Sequence, residues 1–278
     1  MNTPTPPSPE MLERRAPQRV RHELRMRTLT VRHAERITPH CVRVTLAGDE
    51  LAGFYSPGFD DHVKLILPDP TTGEVPLPRL GGVAPDPQTP RPPMRDYTPR
   101  HHDAVARTLA IDFALHDAGP ATAWALQAAP GQRIGVGGPR GSMLVPLAFD
   151  GYVLAGDETA LPAIARRLAE LPRGTPVLAL IEVDGPADEQ PLSTAADARI
   201  HWVHRAGAAP GDAGPLPAAL RAQALPAGDV HAWVACETGV AKALRAHLVN
   251  ERGVHPQWTK AAGYWRRGSA GAHETVED

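Results

Sequence analysis

The chain has little cysteine, few aromatic residues, no strong excess of either charge and no long apolar run. Its 278 residues include two cysteines, Cys41 and Cys236, far apart in sequence. That scarcity excludes a disulfide scaffold, a zinc knuckle and a cysteine-ligated iron–sulfur cluster, and it suits a reducing cytoplasm. No apolar stretch approaches the roughly 18 residues that cross a bilayer, which excludes a helical membrane span. The formal net charge of −2 excludes non-specific nucleic-acid binding, which needs a basic excess. What is present is a 42% hydrophobic content, enough for a real core and too much for a disordered chain. The length suits one large domain or two ordinary ones.

The opening MNTPTPPSPE is proline-rich and polar, with none of the apolar core of a secretory signal. Residues 1–20 and 269–278 are expected to be disordered tails. Between them the pattern changes once. RTLTVRHAERI, HCVRVTLAG, HVKLILP, TLAIDFALH and QRIGVGG alternate apolar and polar residues as half-buried strands do. ATAWALQAA (121–129) is the helical stretch among them, and residues 69–93 read as a long surface excursion. Residues 21–150 are therefore expected to form an antiparallel β-barrel domain. From Gly151 onward, continuous apolar strands (YVLAGD, PVLALIEV, RIHWVHR, DVHAWVAC) alternate with helices (TALPAIARRLAELP, GVAKALRAHLVNERG). That order predicts a parallel sheet wrapped by helices over 151–268.

Several short motifs have a functional and a plain reading. GVGGPRGS (135–142) superficially resembles a dinucleotide loop, but MLVPL follows it where a helix must start, so a tight turn between barrel strands is the better reading. AGDETALPAI (155–164) does lie between a strand and a helix, where nucleotides bind in parallel sheets and where free helix amides meet phosphates; Asp157 or Thr159 serves equally as an ordinary cap. ACETGV (235–240) repeats the layout with Glu237 at the strand's end, and two such turns on one sheet edge make a crevice. Cys236 reads as a small buried residue. Thr122 and its neighbours in DAGPATAW open a helix suited to a pyrophosphate, or form a plain Gly-Pro turn. In RDYTPR, Arg95 and Tyr97 share one face of an extended strand. His101, His102, His201 and His204 have no carboxylates at ligand spacing, so no metal site is expected. Neither a catalytic triad nor a carboxylate pair is visible.

Taken together, R-x-Y-T-x-R, D-F-x-L-H-x-x-G-P-A-T-x-W, G-P-R-G-S, A-G-D-E-T-A-L-P-A-I and G-Y-W-R-R-G (263–268), with D-D-H-V-K-L (60–65), resemble the siderophore-interacting protein family over residues 25–268. These are flavin reductases of the ferredoxin-reductase-like superfamily. The resemblance implies FAD on the barrel and NADPH or NADH on the α/β domain. Carried over by motif, Arg95 pairs with a phosphate, Tyr97 lies on or near the flavin ring and Thr98 bonds it. Asp112 and His116 line the flavin and its ribityl chain, and Ala121 and Thr122 take the pyrophosphate. Asp157, Thr159 and Glu237 flank the nicotinamide crevice. Lys64 and, less directly, Arg266 meet the ferric siderophore, the implied substrate. NADPH, NADH and a reduced ferredoxin all remain open as donors. Two rivals stand beside the reductase: a general flavin or quinone oxidoreductase, for which cations over a flavin have no use, and a non-catalytic siderophore-binding protein, in which the nucleotide half has no role.

Overall fold

The described residues are 7–78, 93–115, 119–269 and 274–276 of a computed structural model. They divide into two units, Val20–Ser142 and the described parts of Met1–Arg19 with Met143–Asp278. The chain begins with helix α1 (Pro9–Arg14), whose first turn is closed by the Ser8 hydroxyl accepting from the Met11 amide, and strand β1 (Gln18–Arg21).

In the first unit, alternation along the strands selects the core. β2 (Met26–Thr38), β3 (Cys41–Ala47), β4 (Val63–Ile66), β5 (Met94–Tyr97), β6 (Pro99–Asp103), β7 (Thr108–Ala114) and β8 (Arg133–Gly137) form one antiparallel sheet, and helix α2 (Pro120–Leu126) lies between β7 and β8 in sequence. Leu29 and Val31 of β2, Val42, Val44 and Leu46 of β3, and Leu109, Ile111 and Phe113 of β7 share a single buried cluster. Each such side chain, once buried, contributes about 1.5–3 kcal/mol of transfer free energy against the chain entropy lost. The strand order is β5-β4-β8-β2-β3-β7-β6. The first and last strands in that order, β5 and β6, are joined in sequence by Thr98 alone. A sheet whose two edges are one residue apart must curl until they meet, so Thr98 marks the seam of a barrel. Strand β9 (Gly141–Leu144) pairs with β1, and the chain enters and leaves the barrel unit through these two strands.

The excursion expected over 69–93 is less detached than its composition suggests. Leu77 and Val75 lie over Gly135 of β8, where any Cβ would meet them at 2.7 and 3.0 Å. Residues 79–92 lie outside the described residues.

The second unit is built on β10 (Gly151–Gly156), helix α3 (Leu161–Glu170), β11 (Pro176–Val183), β12 (Asp197–His204), helix α4 (Pro215–Arg221), β13 (Val230–Glu237), helix α5 (Thr238–Ala246), β14 (Thr259–Trp265) and β15 (Glu274–Val276). The sheet order is β12-β11-β10-β13-β14-β15, parallel except for β15. Every residue of β10 and of β13 is buried, as expected for strands covered on both faces. From β10 the chain moves outward to β11 and β12, then returns to the other side of β10 for β13 and β14. The order therefore reverses between β10 and β13, and open α/β sheets bind ligands beyond the carboxyl ends of strands at such a reversal.

The structure departs from the expected tails at both ends. From residue 7 the N-terminal segment is ordered and belongs to the parallel-sheet unit. Arg15 donates to the Ala148 carbonyl at 3.0 Å, forms an ion pair with Asp229, and lies over the rings of Phe149 and Trp258, 5.4 and 5.1 Å from their centroids. At the other end β15 pairs antiparallel with β14. Both attachments depend on partners distant in sequence, which local composition does not register.

Candidate functional site

In the barrel unit the site is organised by the seam. Arg95 and Tyr97 on β5 stand opposite Leu65 and Val63 of β4, so all four share one side of the sheet. Tyr97 packs on Phe113, with ring centroids 4.5 Å apart, and Phe113 in turn meets Trp124 of α2 at 5.6 Å. Burial raises the Tyr97 phenol well above its ordinary range and holds it protonated. Arg95 donates to the Met94 carbonyl at 2.9 Å and forms no ion pair among the described residues. Thr98 is buried at the junction itself. Among the described residues β5 pairs with β4 and β6 with β7, so these two strands form the edges of the sheet on either side of Thr98.

Helix α2 completes this half. No side chain caps it, and Gly119 precedes Pro120. Its first-turn amides, those of Ala121 and Thr122 among them, therefore lack an intrahelical acceptor. The Thr122 hydroxyl is buried without a hydrogen-bond partner. A buried hydroxyl left unbonded is costly, and here it stands in the turn where a pyrophosphate was expected. A guanidinium without an ion pair among the described residues, an aromatic ring and a helix turn with an unbonded buried hydroxyl fit the flavin dinucleotide.

Two expected residues sit differently. Asp112 lies on the opposite face of β7 from Phe113, and both of its oxygens are held by the Arg43 guanidinium at 2.6 and 2.7 Å, with Arg100 at 3.7 Å. The residue that alternation brings to Tyr97 is Phe113. Lys64 likewise points away from the Val63 and Leu65 side, and its ammonium is held by Asp96 at 2.8 and 3.0 Å. His116 lies outside the described residues.

In the parallel-sheet unit, the turns after β10 and β13 do lie at one edge, since Gly156 is level with Ala235 across two parallel strands. They are tied together by the G-Y-W-R-R-G segment. The Trp265 indole donates to Asp157 Oδ2 at 2.7 Å, and the Arg267 amide lies 3.4 Å from Glu237 Oε1. Gly156 permits the close approach: a Cβ there would overlap the Ala235 carbonyl and the Ala160 side chain. The free helix amides expected here are already used. Asp157 accepts from the Thr159 amide and hydroxyl through Oδ1, and its carbonyl accepts from the amides of Ala160 and Leu161. Glu237 accepts from Gly239 and Val240 at the start of α5. The carboxylates cap both turns from within, so the crevice presents rigid walls rather than vacant donors. Cys236 is buried, and its thiol is raised by that burial, as expected of a residue used for packing. Arg266 is exposed at the end of β14.

Sequence reasoning missed the charged cluster behind these turns. Arg205, just beyond β12, is buried and bonds Glu158 at 2.7 Å, with Glu182 at 3.7 Å and Asp184 at 3.8 Å. Burial, and then the neighbouring Asp157, raise Glu182 to about 7; burial, and then Glu158, raise Asp157 to about 6. Both carboxyls are easier to protonate folded than unfolded. Their contribution is thus most favourable below pH 4 and is lost as pH rises through about 6 and then 7. Glu182→Gln is expected to raise the melting temperature at pH 8 by a few degrees, about 1 kcal/mol, and to flatten its dependence between pH 5 and 8. Superimposable melting profiles of variant and parent would remove this account.

Comparison with known proteins covers both halves. The family model "Siderophore-interacting FAD-binding domain" matches residues 21–143, and "Siderophore-interacting protein" matches residues 149–268. The chain is 40% identical over 254 residues to the NADPH-dependent ferric-chelate reductase of Escherichia coli K12, covering 90% of this chain and 97% of that one. It is 33% identical over 237 residues to the ferric vibriobactin reductase ViuB of Vibrio cholerae, covering 84% and 86%. The crystal structure of a siderophore utilization protein from T. fusca superimposes with a TM-score of 0.82 at 46% identity, covering 92% of this chain and 98% of that one.

Proposed function

From the premise that the chain belongs to the siderophore-interacting protein family, we propose that it is an FAD-dependent oxidoreductase that takes electrons from NADPH and reduces ferric siderophores to release Fe²⁺. The observation that carries this reading is the barrel seam, where Arg95, Tyr97 and Thr98 stand between the two sheet edges and α2 leaves the Thr122 hydroxyl unbonded. When bound, FAD supplies the exchange between a donor that gives two electrons together and an iron that accepts one.

The chain's own residues bind and orient. Arg95 meets phosphate with a guanidinium not committed to any carboxylate among the described residues, and Tyr97 offers a ring fixed by Phe113. Thr98 and the adjoining edge groups bond the ring system, and the first turn of α2 takes the pyrophosphate. Asp112 supports the flavin side through the Arg43 pair, and His116 is assigned to the ribityl chain by motif alone. Asp157, Thr159 and Glu237 shape the nicotinamide crevice as a rigid frame. Of the two cations assigned to substrate, Arg266 is exposed, whereas Lys64 must share its ammonium with Asp96 to meet a chelate. No acid–base group is required. The hard oxygen ligands of a siderophore hold Fe²⁺ far more weakly than Fe³⁺, so the electron itself releases the metal. Both donor and acceptor are handled in the cytoplasm in this reading.

The test is an absorption spectrum of the purified protein, then anaerobic addition of NADPH, NADH or reduced ferredoxin, then a ferric siderophore with an Fe²⁺ chelator. We expect a flavin spectrum, bleaching by NADPH and two Fe²⁺ per NADPH consumed. A colourless protein that takes up no FAD would favour the siderophore-binding rival. A flavoprotein that reduces quinones and leaves ferric chelates untouched would favour the general oxidoreductase.

A further inference from the structure

The loop that joins β12 to α4 does not stay at its own edge of the sheet. Gly211 lies against Glu237 and Trp265: a Cβ there would stand 2.8 Å from Cγ of Glu237 and 2.8 Å from the Trp265 ring. Those two residues are paired at the carboxyl ends of β13 and β14. Strands β11 and β10 separate β12 from β13, so the span is three strand spacings, about 14 Å. The six residues from Arg205 to Gly211 reach at most about 20 Å. With so little slack the chain runs across the ends of β11 and β10. Residues 206–212 therefore form a strap over the reversal of strand order, where a dinucleotide is expected.

Little holds the strap down. No residue from 206 to 214 is buried. Its tip is a self-contained turn, in which Asp212 Oδ2 accepts from the Ala209 amide at 3.1 Å and the Ala209 carbonyl accepts from the Asp212 amide at 3.1 Å. At one end Ala206 and Gly207 both have positive φ, 50° and 93°, and at the other Gly214 is uncrowded. Among the described residues, the hydrogen bonds from the tip to the far rim come from Arg267. Its Nη2 donates to the Pro210 carbonyl at 2.7 Å and to Asp212 Oδ1 at 2.8 Å. The Arg267 and Asp212 side chains are 55% and 42% exposed, and ion pairs that open to solvent are weak. A segment with no buried apolar side chain and one such pair lifts easily.

Charge decides what the strap conceals. An anionic dinucleotide at this edge meets carboxylates, since Asp157 and Glu237 stand at the two turns and already take the nearby amides. It needs a cation. Arg205 is buried and shared by Glu158, Glu182 and Asp184, His204 pairs with Glu189 at 2.8 Å, and Arg266 lies toward Glu274 of β15. Arg267 differs from these. Its amide is 3.4 Å from Glu237 Oε1, so it springs from the crevice wall, and its carboxylate partner among the described residues belongs to the strap. When the strap lifts, the partner leaves and the guanidinium stays.

We propose that Arg267 receives a phosphate group of the dinucleotide donor, and that Asp212 on the strap holds its place until the donor arrives. The inference rests on the reductase reading above for its choice of ligand. A phosphate offers the forked donors of Arg267 more charge than a carboxylate and a second oxygen to bind. Exchange of one anion for the other opens the crevice at the moment the donor enters it. Asp212 is thus a competitor of the donor and sets how tightly it binds.

The test uses the FAD-loaded full chain and its Arg267→Gln and Asp212→Asn variants. Calorimetry measures the binding of two redox-inert probes, 2′,5′-ADP and ADP, at two salt concentrations. Flavin content and melting temperature are measured beside it to report any loss of fold. We expect Arg267→Gln to bind at least one probe about tenfold or more weakly, the gap narrowing at high salt, and Asp212→Asn to bind the same probe about two- to fivefold more tightly. A loss confined to 2′,5′-ADP assigns the 2′-phosphate, and a loss shared by ADP assigns the pyrophosphate. Opposite signs from the two halves of one ion pair separate this role from bracing, which would weaken both variants alike. No saturable binding of either probe to the parent, parental affinity in Arg267→Gln, or unchanged or weaker binding in Asp212→Asn would overturn the proposal. Failure of the broader reading would look different: the probes still separate the variants in opposite directions, while NADPH leaves the parent's flavin oxidised.

Discussion

Replacing Arg205 with Met is expected to remove about 3–5 kcal/mol from the parallel-sheet unit, the cost typical of leaving buried carboxylates without their cation. Arg205 is the positive group shared by Glu158, Glu182 and Asp184, and Asp157 adds to the field on Glu182. Met matches the stem of the side chain, so packing changes little and the loss is electrostatic. At roughly 2–4 °C per kcal/mol for a unit of this size, the melting temperature should fall by about 10 °C. The fall should be smaller at pH 5.5, where Glu182 and Asp157 take up protons, than at pH 8, where both are ionised. Adding Glu182→Gln to Arg205→Met should recover part of the loss at pH 8. A fall under 2 °C, or one independent of pH, would show that the cluster carries little of the unit's stability.

Arg95→Ala should weaken FAD binding about tenfold to a hundredfold, the equivalent of roughly 1.5–3 kcal/mol for a lost charge-assisted bond. The reason for expecting so much from one residue is its lack of other engagements: a neutral carbonyl takes one of its donors, and no carboxylate among the described residues competes for the rest. Its removal leaves the barrel core intact, since Leu29, Ile111 and Phe113 do not depend on it. Arg95→Lys should fall between, because an ammonium keeps the charge and loses the planar fork. Titration of flavin-free protein with FAD, followed by fluorescence, reads the affinity. An Arg95→Ala variant with parental affinity would move the phosphate site elsewhere, whereas an equal effect from Arg43→Ala would point to the barrel wall as a whole.

Much of this architecture was legible because the relevant signals are local. A continuous apolar strand followed by a turn and a helix identifies YVLAGDETALPAI without reference to the rest of the chain, and strict alternation identifies β3 and β7. The strand β14 was not legible. TKAAGYW is rich in small residues, and Gly263 is required there because Thr238 of α5 presses against it and would overlap any Cβ. Such a choice answers to a partner 25 positions away and not to strand propensity. The same holds at the site. R-x-Y-T-x-R was read as a motif, but that its central Thr98 joins the two edges of a barrel follows only from the strand order. Lys64 was assigned to the substrate by the D-D-H-V-K-L motif; its pairing with Asp96, 32 positions on, requires the register of β4 and β5. The capped turns at Asp157 and Glu237 looked open in sequence because nothing local shows that their own carboxylates fill them.

The attachment of Arg15 has a consequence for the order in which the protein takes shape as it is made. The barrel, Val20–Ser142, is contiguous, so all its strands have left the ribosome before most of the second unit exists. Residues that precede the barrel have no such opportunity. Their anchor points are Ala148, Phe149, Asp229 and Trp258, the last of them 243 positions beyond Arg15. Domains fold as units during synthesis, earlier ones first. The leading segment must therefore wait while a complete barrel forms behind it, and its full set of anchors exists only once Asp229 and Trp258 of the second unit have been made.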